Sequence, residues 1–210
     1  MSTPIYQLFI GKNNVLTSLV GKNFTQTQTE EMIQKEKASR EAVQAEVLLA
    51  CDSAWADEEH PWWGVLRFPS LEARIQHTRT LAEIGWLDWV GAFTLLGTSE
   101  SEPALIKFPN PIYKLWLIHG NPAAAQWQNS QPKGIRAAVW DKHNAAYADT
   151  GSIVVLQCNS YWCNEAYPYF GVSAYPNIEA NMKVMQVLDE LGWPGFMDCF
   201  TLLGIPQQLD

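Results

Sequence analysis

The chain contains the same sequence pattern twice, 107 positions apart. The match needs no gap over residues 4–97. A repeat of this length predicts one structural module present twice. We therefore place two domains at residues 1–103 and 104–210. Matched segments are Pro61–Val65 with Pro168–Val172, and Phe93–Gly97 with Phe200–Gly204.

Composition limits the function classes. Hydrophobic residues make up 47% of the chain and ten residues are Trp, which is enough apolar surface for a folded core. A net charge of −8 argues against binding to nucleic acid or to an anionic membrane, since both need a basic surface. The four Cys show no CxxC spacing, which favours free thiols in a reducing compartment. We expect a cytoplasmic protein.

Each repeat has the element order β-α-β-β-α-β. In the first, Ser70 is placed to cap the second helix and Gly85 to end it. In the second, Asn177 and Gly192 take the same two places. This order is typical of a ferredoxin-like α+β unit, in which both helices cover one face of a four-stranded sheet.

The second strand of the two repeats is identical at every second residue. Strand side chains alternate between two faces, so one face has been kept and the other has diverged. We expect the kept face to pack beneath the helices, and the diverged face to meet the sheet of the other repeat. The kept pairs are Val47 with Val154, Leu49 with Leu156, Cys51 with Cys158, Ser53 with Ser160 and Trp55 with Trp162.

In its element order and duplication, nearly the whole chain resembles the dimeric α/β-barrel superfamily. In that superfamily two ferredoxin-like units pack sheet to sheet, and this chain resembles a fused, single-chain version. The resemblance implies one of several functions, because the superfamily includes cofactor-independent monooxygenases, haem-degrading monooxygenases and chlorite dismutase-like haem proteins.

Polar residues on the diverged face predict a small-molecule site in the cavity between the sheets. Asp52 is the candidate acid or base, and Lys114, Arg67 and Asn159 would orient an anionic or carbonyl group. The alternative is that these residues pair with one another, as Asp52 could with Lys114. The full ligand-binding set is Gln7, Arg67, Lys114, Asn159, Tyr161 and Tyr175.

The histidines show no metal-ligand spacing, so no metal site is predicted. The haem-degrading enzymes carry a helix His after a strand Trp and an Asn on the first strand, which makes His77 a second catalytic candidate. Phe68 and Gln7 stand at the Trp and Asn places, so two of three positions depart from that pattern. A chlorite dismutase-like protein needs an axial His in its second unit, where His143 is the helical candidate.

We expect a protein that binds a small-molecule ligand without a cofactor and acts as a cofactor-independent, monooxygenase-like enzyme. One alternative is a non-catalytic binding or structural module, and another is a haem-binding protein. The fused pair already supplies the interface that usually drives dimerisation, so we expect a monomer or a weak homodimer, with neither nucleic acid nor membrane as a partner.

Overall fold

A computed structural model of the chain shows two structural units. Unit 1 consists of Met1–Thr98 and Gln207–Asp210, and unit 2 of Ser99–Pro206. No helix among the described residues is long and apolar enough to cross a membrane. The structure describes residues 3–12, 25–104, 108–119, 121, 122, 126, 130, 132–195 and 197–207.

The described residues of unit 1 form four strands, two long helices and one short helix. Its sheet is antiparallel with strand order β4-β1-β3-β2, which is the ferredoxin-like order. The elements are β1 (Ile5–Gly11), α1 (Gln26–Ala42), β2 (Glu46–Asp52), β3 (Trp62–Phe68), α2 (Leu71–Glu83), α3 (Trp86–Trp89) and β4 (Ala92–Gly97).

Unit 2 repeats this arrangement, with antiparallel strand order β8-β5-β7-β6. The predicted α+β class and the element order of both repeats are therefore confirmed. The elements are β5 (Ile112–His119), α4 (Lys133–Thr150), β6 (Ile153–Asn159), β7 (Tyr169–Tyr175), α5 (Ile178–Glu190), a 3-10 turn (Trp193–Gly195) and β8 (Asp198–Pro206).

The second helix of each unit begins and ends where the sequence predicts. Ser70 accepts a hydrogen bond from the Ala73 N–H at 3.2 Å, and Asn177 accepts one from the Ala180 N–H at 2.9 Å. Gly85 and Gly192 follow the helices with φ of 76° and 72°. This left-handed conformation suits glycine, because a Cβ would crowd the backbone there.

The prediction of which sheet face meets the helices is wrong. In unit 1, Leu66 and Phe68 cluster with Ala73 of α2, so their side of the sheet faces the helices. Ala50, on the diverged face of β2, pairs with Gly64 of β3. Gly64 lies on the same side of the sheet as Leu66 and Phe68, because it is two and four residues before them on one strand. Alternation along a strand separates two faces, but it does not say which of them a helix covers. Ala50 therefore lies on the helix side and the kept Cys51 on the other, whereas the kept Val47 packs in the helix-side cluster.

A bulge in the second strand of each unit also changes the predicted alternation. The register shifts between Val47 and Leu49 in unit 1, and between Val154 and Leu156 in unit 2. The extra residue reverses the side on which its neighbours lie. As a result the kept residues do not share one face: Val154 pairs with Ser173 on the helix side, whereas Leu156 pairs with Val172 on the other side.

The Asn177 cap gives a direct test of the helix boundary. We expect Asn177→Ala to lower the free energy of unfolding by about 1 kcal/mol, because the Ala180 N–H loses its acceptor. Asn177→Asp keeps an acceptor and should stay close to the wild type. Urea denaturation of the three proteins measures the difference. Equal losses in both variants would contradict a capping role.

Candidate functional site

A cavity of about 420 Å³ lies within unit 2, between its sheet and its helices. Its wall is mostly aromatic and aliphatic, and few of its groups carry charge. The lining residues are Lys114, Trp116, Ile118, Trp140, His143, Tyr147, Val154, Gln157, Tyr175, Met185, Leu188, Trp193, Pro194, Met197, Cys199 and Thr201.

Helix α4 presents three of these side chains along one face. Trp140, His143 and Tyr147 are spaced i, i+3 and i+7, and residues at that spacing lie above one another on a helix. The helix ends at Gly151, whose φ is 67°. The spacing of these residues is the sequence signal that points to this wall of the cavity.

His143 is held among aromatic rings. Its ring stacks on Trp193 with centroids 5.8 Å apart and planes at 19°, and it also contacts Trp140 and Tyr147. Burial lowers the pKa of His143, so the neutral imidazole is the favoured form. His143 Nδ1 lies 3.3 Å from Asn144 Oδ1. With the ring proton on Nδ1 this contact is a hydrogen bond to the amide oxygen, and Nε2 keeps its lone pair.

A hydrogen-bonded group fixes α4 against the sheet. Tyr147 OH lies 3.0 Å from Ser173 Oγ and 3.1 Å from Tyr175 OH, and Trp116 Nε1 donates to Ser173 Oγ at 3.2 Å. Burial raises the pKa of Tyr175, so its hydroxyl stays protonated. We call Trp116, Tyr147, Ser173 and Tyr175 the hydroxyl cluster.

Trp116 has room in the wall because β7 has glycine beside it. A Cβ at Gly171 would collide with the Trp116 ring and with the Leu156 carbonyl. The missing side chain therefore lets the indole lie over the neighbouring strand, where it forms part of the cavity wall.

Lys114 lies on the sheet side of the cavity. It is 8% exposed, and its Nζ contacts Met185 Sδ at 2.6 Å. Burial lowers the pKa of Lys114 to about 8. Cys199 is close enough for an electrostatic interaction with it, and burial raises the pKa of that thiol.

The structure brings two of the predicted ligand-binding residues, Lys114 and Tyr175, into this cavity. Both were predicted to face the other repeat, and that is wrong, because both share the helix side of their sheet with Trp116. Their roles in ligand binding stay predictions.

Two other candidates of unit 2 lie at the end of β6. Asn159 Oδ1 accepts the Tyr161 N–H at 3.0 Å, and Tyr161 is 61% exposed. The amide therefore shapes the turn that follows the strand. Neither residue is among those that line the described cavity.

The unit 1 candidates do not share one face. Gln7 pairs with Leu66 and Arg67 with Tyr6, and successive strand residues point to opposite sides. Gln7 therefore lies on the helix side and Arg67 on the other. Asp52 Oδ1 accepts the Ala54 N–H at 2.9 Å and caps the turn after β2. Catalysis by Asp52 stays a prediction.

His77 lies in the core of unit 1 and is 1% exposed. Its Nδ1 is 2.9 Å from Ser39 Oγ, and its Nε2 is 3.9 Å from a Glu36 oxygen. Burial, helped by the charges of Arg74 and Arg40, lowers the pKa of His77 to about 4. This position gives the residue a packing role, and catalysis by it stays a prediction.

The corresponding helix face of unit 1 carries different chemistry. At the offset of 107, His143 corresponds to Glu36 and Tyr147 to Arg40. Arg40 Nε donates to Glu36 Oε1 at 2.6 Å, so an ion pair stands where unit 2 has an imidazole and a phenol. The two copies therefore differ in chemistry on the helix face that forms the cavity in unit 2.

Comparison with solved structures identifies proteins that share the fold of this chain. No family model and no curated protein matches the sequence. A double mutant of chlorite dismutase from Candidatus Nitrospira defluvii is 12% identical, with a TM-score of 0.74 over 97% of this chain and 92% of that chain. The fold of this chain is therefore similar to that of the chlorite dismutases. A single mutant of that enzyme is 13% identical, with a TM-score of 0.73 over 98% of this chain and 92% of that chain. The imidazole complex of the enzyme is 11% identical, with a TM-score of 0.70 over 97% of this chain and 91% of that chain.

These neighbours correct one expectation. The prediction that the protein works without a cofactor is wrong, because the chlorite dismutase-like neighbours are haem-dependent proteins. Two of three positions depart from the haem-degrading pattern and no flanking motif supports His143, but haem needs only one axial histidine from the protein.

The close fit of Trp116 over Gly171 can be tested by adding one methyl group. We expect Gly171→Ala to lower the free energy of unfolding by about 1–3 kcal/mol, because the Cβ meets the indole and a backbone carbonyl. Urea denaturation measures this change in the free energy of unfolding. Gly134→Ala is the matched control, because a Cβ there meets no atom within 4 Å and alanine favours helix. Wild-type stability in Gly171→Ala would contradict this packing.

The core position of His77 predicts a pH dependence of stability. Its folded pKa of about 4 lies below the ordinary value of 6.5, so folding favours the neutral ring. The stabilisation is present above pH 6.5 and is lost as the pH falls towards 4. Urea denaturation between pH 7 and 4 should show a smaller loss for His77→Gln than for the wild type. An equal loss of stability in the two proteins would contradict the lowered pKa of His77.

Proposed function

We propose that this protein binds haem in the cavity of unit 2, with His143 as the iron ligand. One observation carries the proposal: a neutral imidazole opens onto an aromatic cavity within a fold shared with haem-dependent proteins. The alternative of a haem-binding protein thus replaces the cofactor-independent enzyme as the leading function.

The size and lining of the cavity suit a flat, largely apolar ligand. Its volume of about 420 Å³ falls in the usual range for small-molecule sites, which is about 300–1,000 Å³. Trp116, Trp140 and Trp193 supply ring faces and edges to its wall. Aromatic rings pack well against other planar rings, as a porphyrin requires.

The donor chemistry of His143 also suits iron. Haem iron is commonly held by one neutral imidazole nitrogen, while the other ring nitrogen donates a hydrogen bond that orients the ring. Asn144 supplies that acceptor at Nδ1, and Trp193 holds the plane of the ring. Nε2 is therefore the ligating atom in this proposal.

Bound haem would supply redox and small-ligand chemistry at its iron. The residues of this chain orient the imidazole, surround the ring with apolar side chains and exclude water. Monooxygenase-like catalysis stays a prediction, and so does a non-catalytic binding role.

Haem titration of the purified protein tests the proposal. We expect a shifted Soret band with saturable binding. His143→Gly should weaken binding by at least the roughly 10–100-fold that follows loss of a residue orienting a metal ligand. Free imidazole should restore the spectrum of this variant, because it can occupy the space left by the ring.

His119→Gly is the matched control, because His119 belongs to unit 2 but does not line the cavity and contacts the Ala166 carbonyl instead. It should bind haem as the wild type does. No shifted Soret band in the wild type would contradict haem binding. An unchanged band in His143→Gly would contradict the assigned ligand.

A further inference from the structure

Lys114 brings a charge into a cavity with little to balance it. Its ammonium group has three N–H donors, and one of them donates to the Met185 thioether, which is a weak acceptor. Among the described residues no carboxylate forms an ion pair with Lys114. Lys114 lacks this ion pair although it is buried, with only 8% of its surface exposed to solvent.

A buried ammonium without a counter-charge is costly, because the group has lost its hydration and gained little in return. The lowered pKa of about 8 reflects this cost. Lys114 nevertheless stays mostly protonated at pH 7, since that pH lies below its pKa. Binding an anionic group would recover the lost interaction.

The other titratable groups of the cavity do not supply that anion. Burial raises the pKa values of Tyr175 and Cys199, so both stay neutral at pH 7. Burial lowers the pKa of His143, so it is neutral as well. Tyr147 interacts through its hydroxyl with Tyr175 and Ser173. The cavity therefore presents one positive charge among aromatic walls.

We propose that Lys114 binds a carboxylate of the ligand and makes the cavity selective for planar aromatic acids over their neutral analogues. This inference rests on the proposed function and identifies the ligand class of that site. His143 and Lys114 then have separate tasks, since one recognises a metal and the other an acid group.

Metal-free protoporphyrin IX and its dimethyl ester separate these two tasks, because neither contains iron for His143 to bind. Fluorescence titration at pH 7 should show that the wild type binds the free acid about 10–150-fold more tightly than the ester. That factor corresponds to one hydrogen bond to a charged group, about 1.5–3 kcal/mol.

Lys114→Met should bring the affinity for the acid to that of the ester, and Lys114→Arg should keep most of the preference. Lys183→Met is the matched control, because it removes the charge of an exposed lysine on α5. It should keep the full preference.

A pH series on the wild type tests the same point without a substitution. The affinity for the acid should fall as the pH rises above about 8, because Lys114 loses its proton, while the affinity for the ester should stay level. His143 is already neutral in this range. The raised pKa values of Tyr175 and Cys199 keep their titration from producing the same fall.

Equal binding of acid and ester by the wild type would overturn this inference and leave haem ligation by His143 standing. A preference for the acid that persists in Lys114→Met would also overturn it. If neither porphyrin bound, the result would overturn this inference, and the haem titration would still decide the proposed function separately.

Discussion

The hydroxyl cluster holds helix α4 in place over the sheet of unit 2, and the cavity depends on it. Tyr147 reaches from the helix to Ser173 and Tyr175 on β7, and Ser173 in turn accepts from Trp116 on β5. Buried hydroxyl groups need such partners, because an unpaired one costs free energy. One helical turn before Tyr147, this anchoring directs His143 towards the cavity.

Duplication gave the two copies of this helix face different chemistry. In unit 1 the positions of His143 and Tyr147 hold Glu36 and Arg40, which form an ion pair beside the core histidine His77. In unit 2 the same positions carry groups that suit a ligand. A gene fusion can separate the two roles, whereas a symmetric homodimer would carry the same residues twice.

Much of the fold could be predicted from the sequence. The caps at Ser70 and Asn177 and the glycines that follow their helices come from local chemistry, which is visible in a single sequence. The element order then follows from periodicity. The bulge before Leu156 could not be predicted, because the extra residue leaves the pattern of residue types intact.

The site was harder to predict, because the side of a sheet that a helix covers is a tertiary property. Lys114 and Tyr175 were chosen for polar character on a diverged face, and they do line the cavity, although on the side opposite to the predicted one. The spacing of Trp140, His143 and Tyr147 places them on one helix face. Whether that face lines a cavity depends on the sheet opposite it, and a single sequence does not show that. The divergence between copies thus pointed to two residues that line the cavity, but on the wrong side of the sheet.

A crystal structure of the haem complex, with an anomalous difference map at the iron absorption edge, tests whether His143 ligates haem iron. We expect one iron peak in the cavity of unit 2, at bonding distance from Nε2 of His143. An iron peak beside His77 or His119, or a porphyrin outside this cavity, would contradict this assignment.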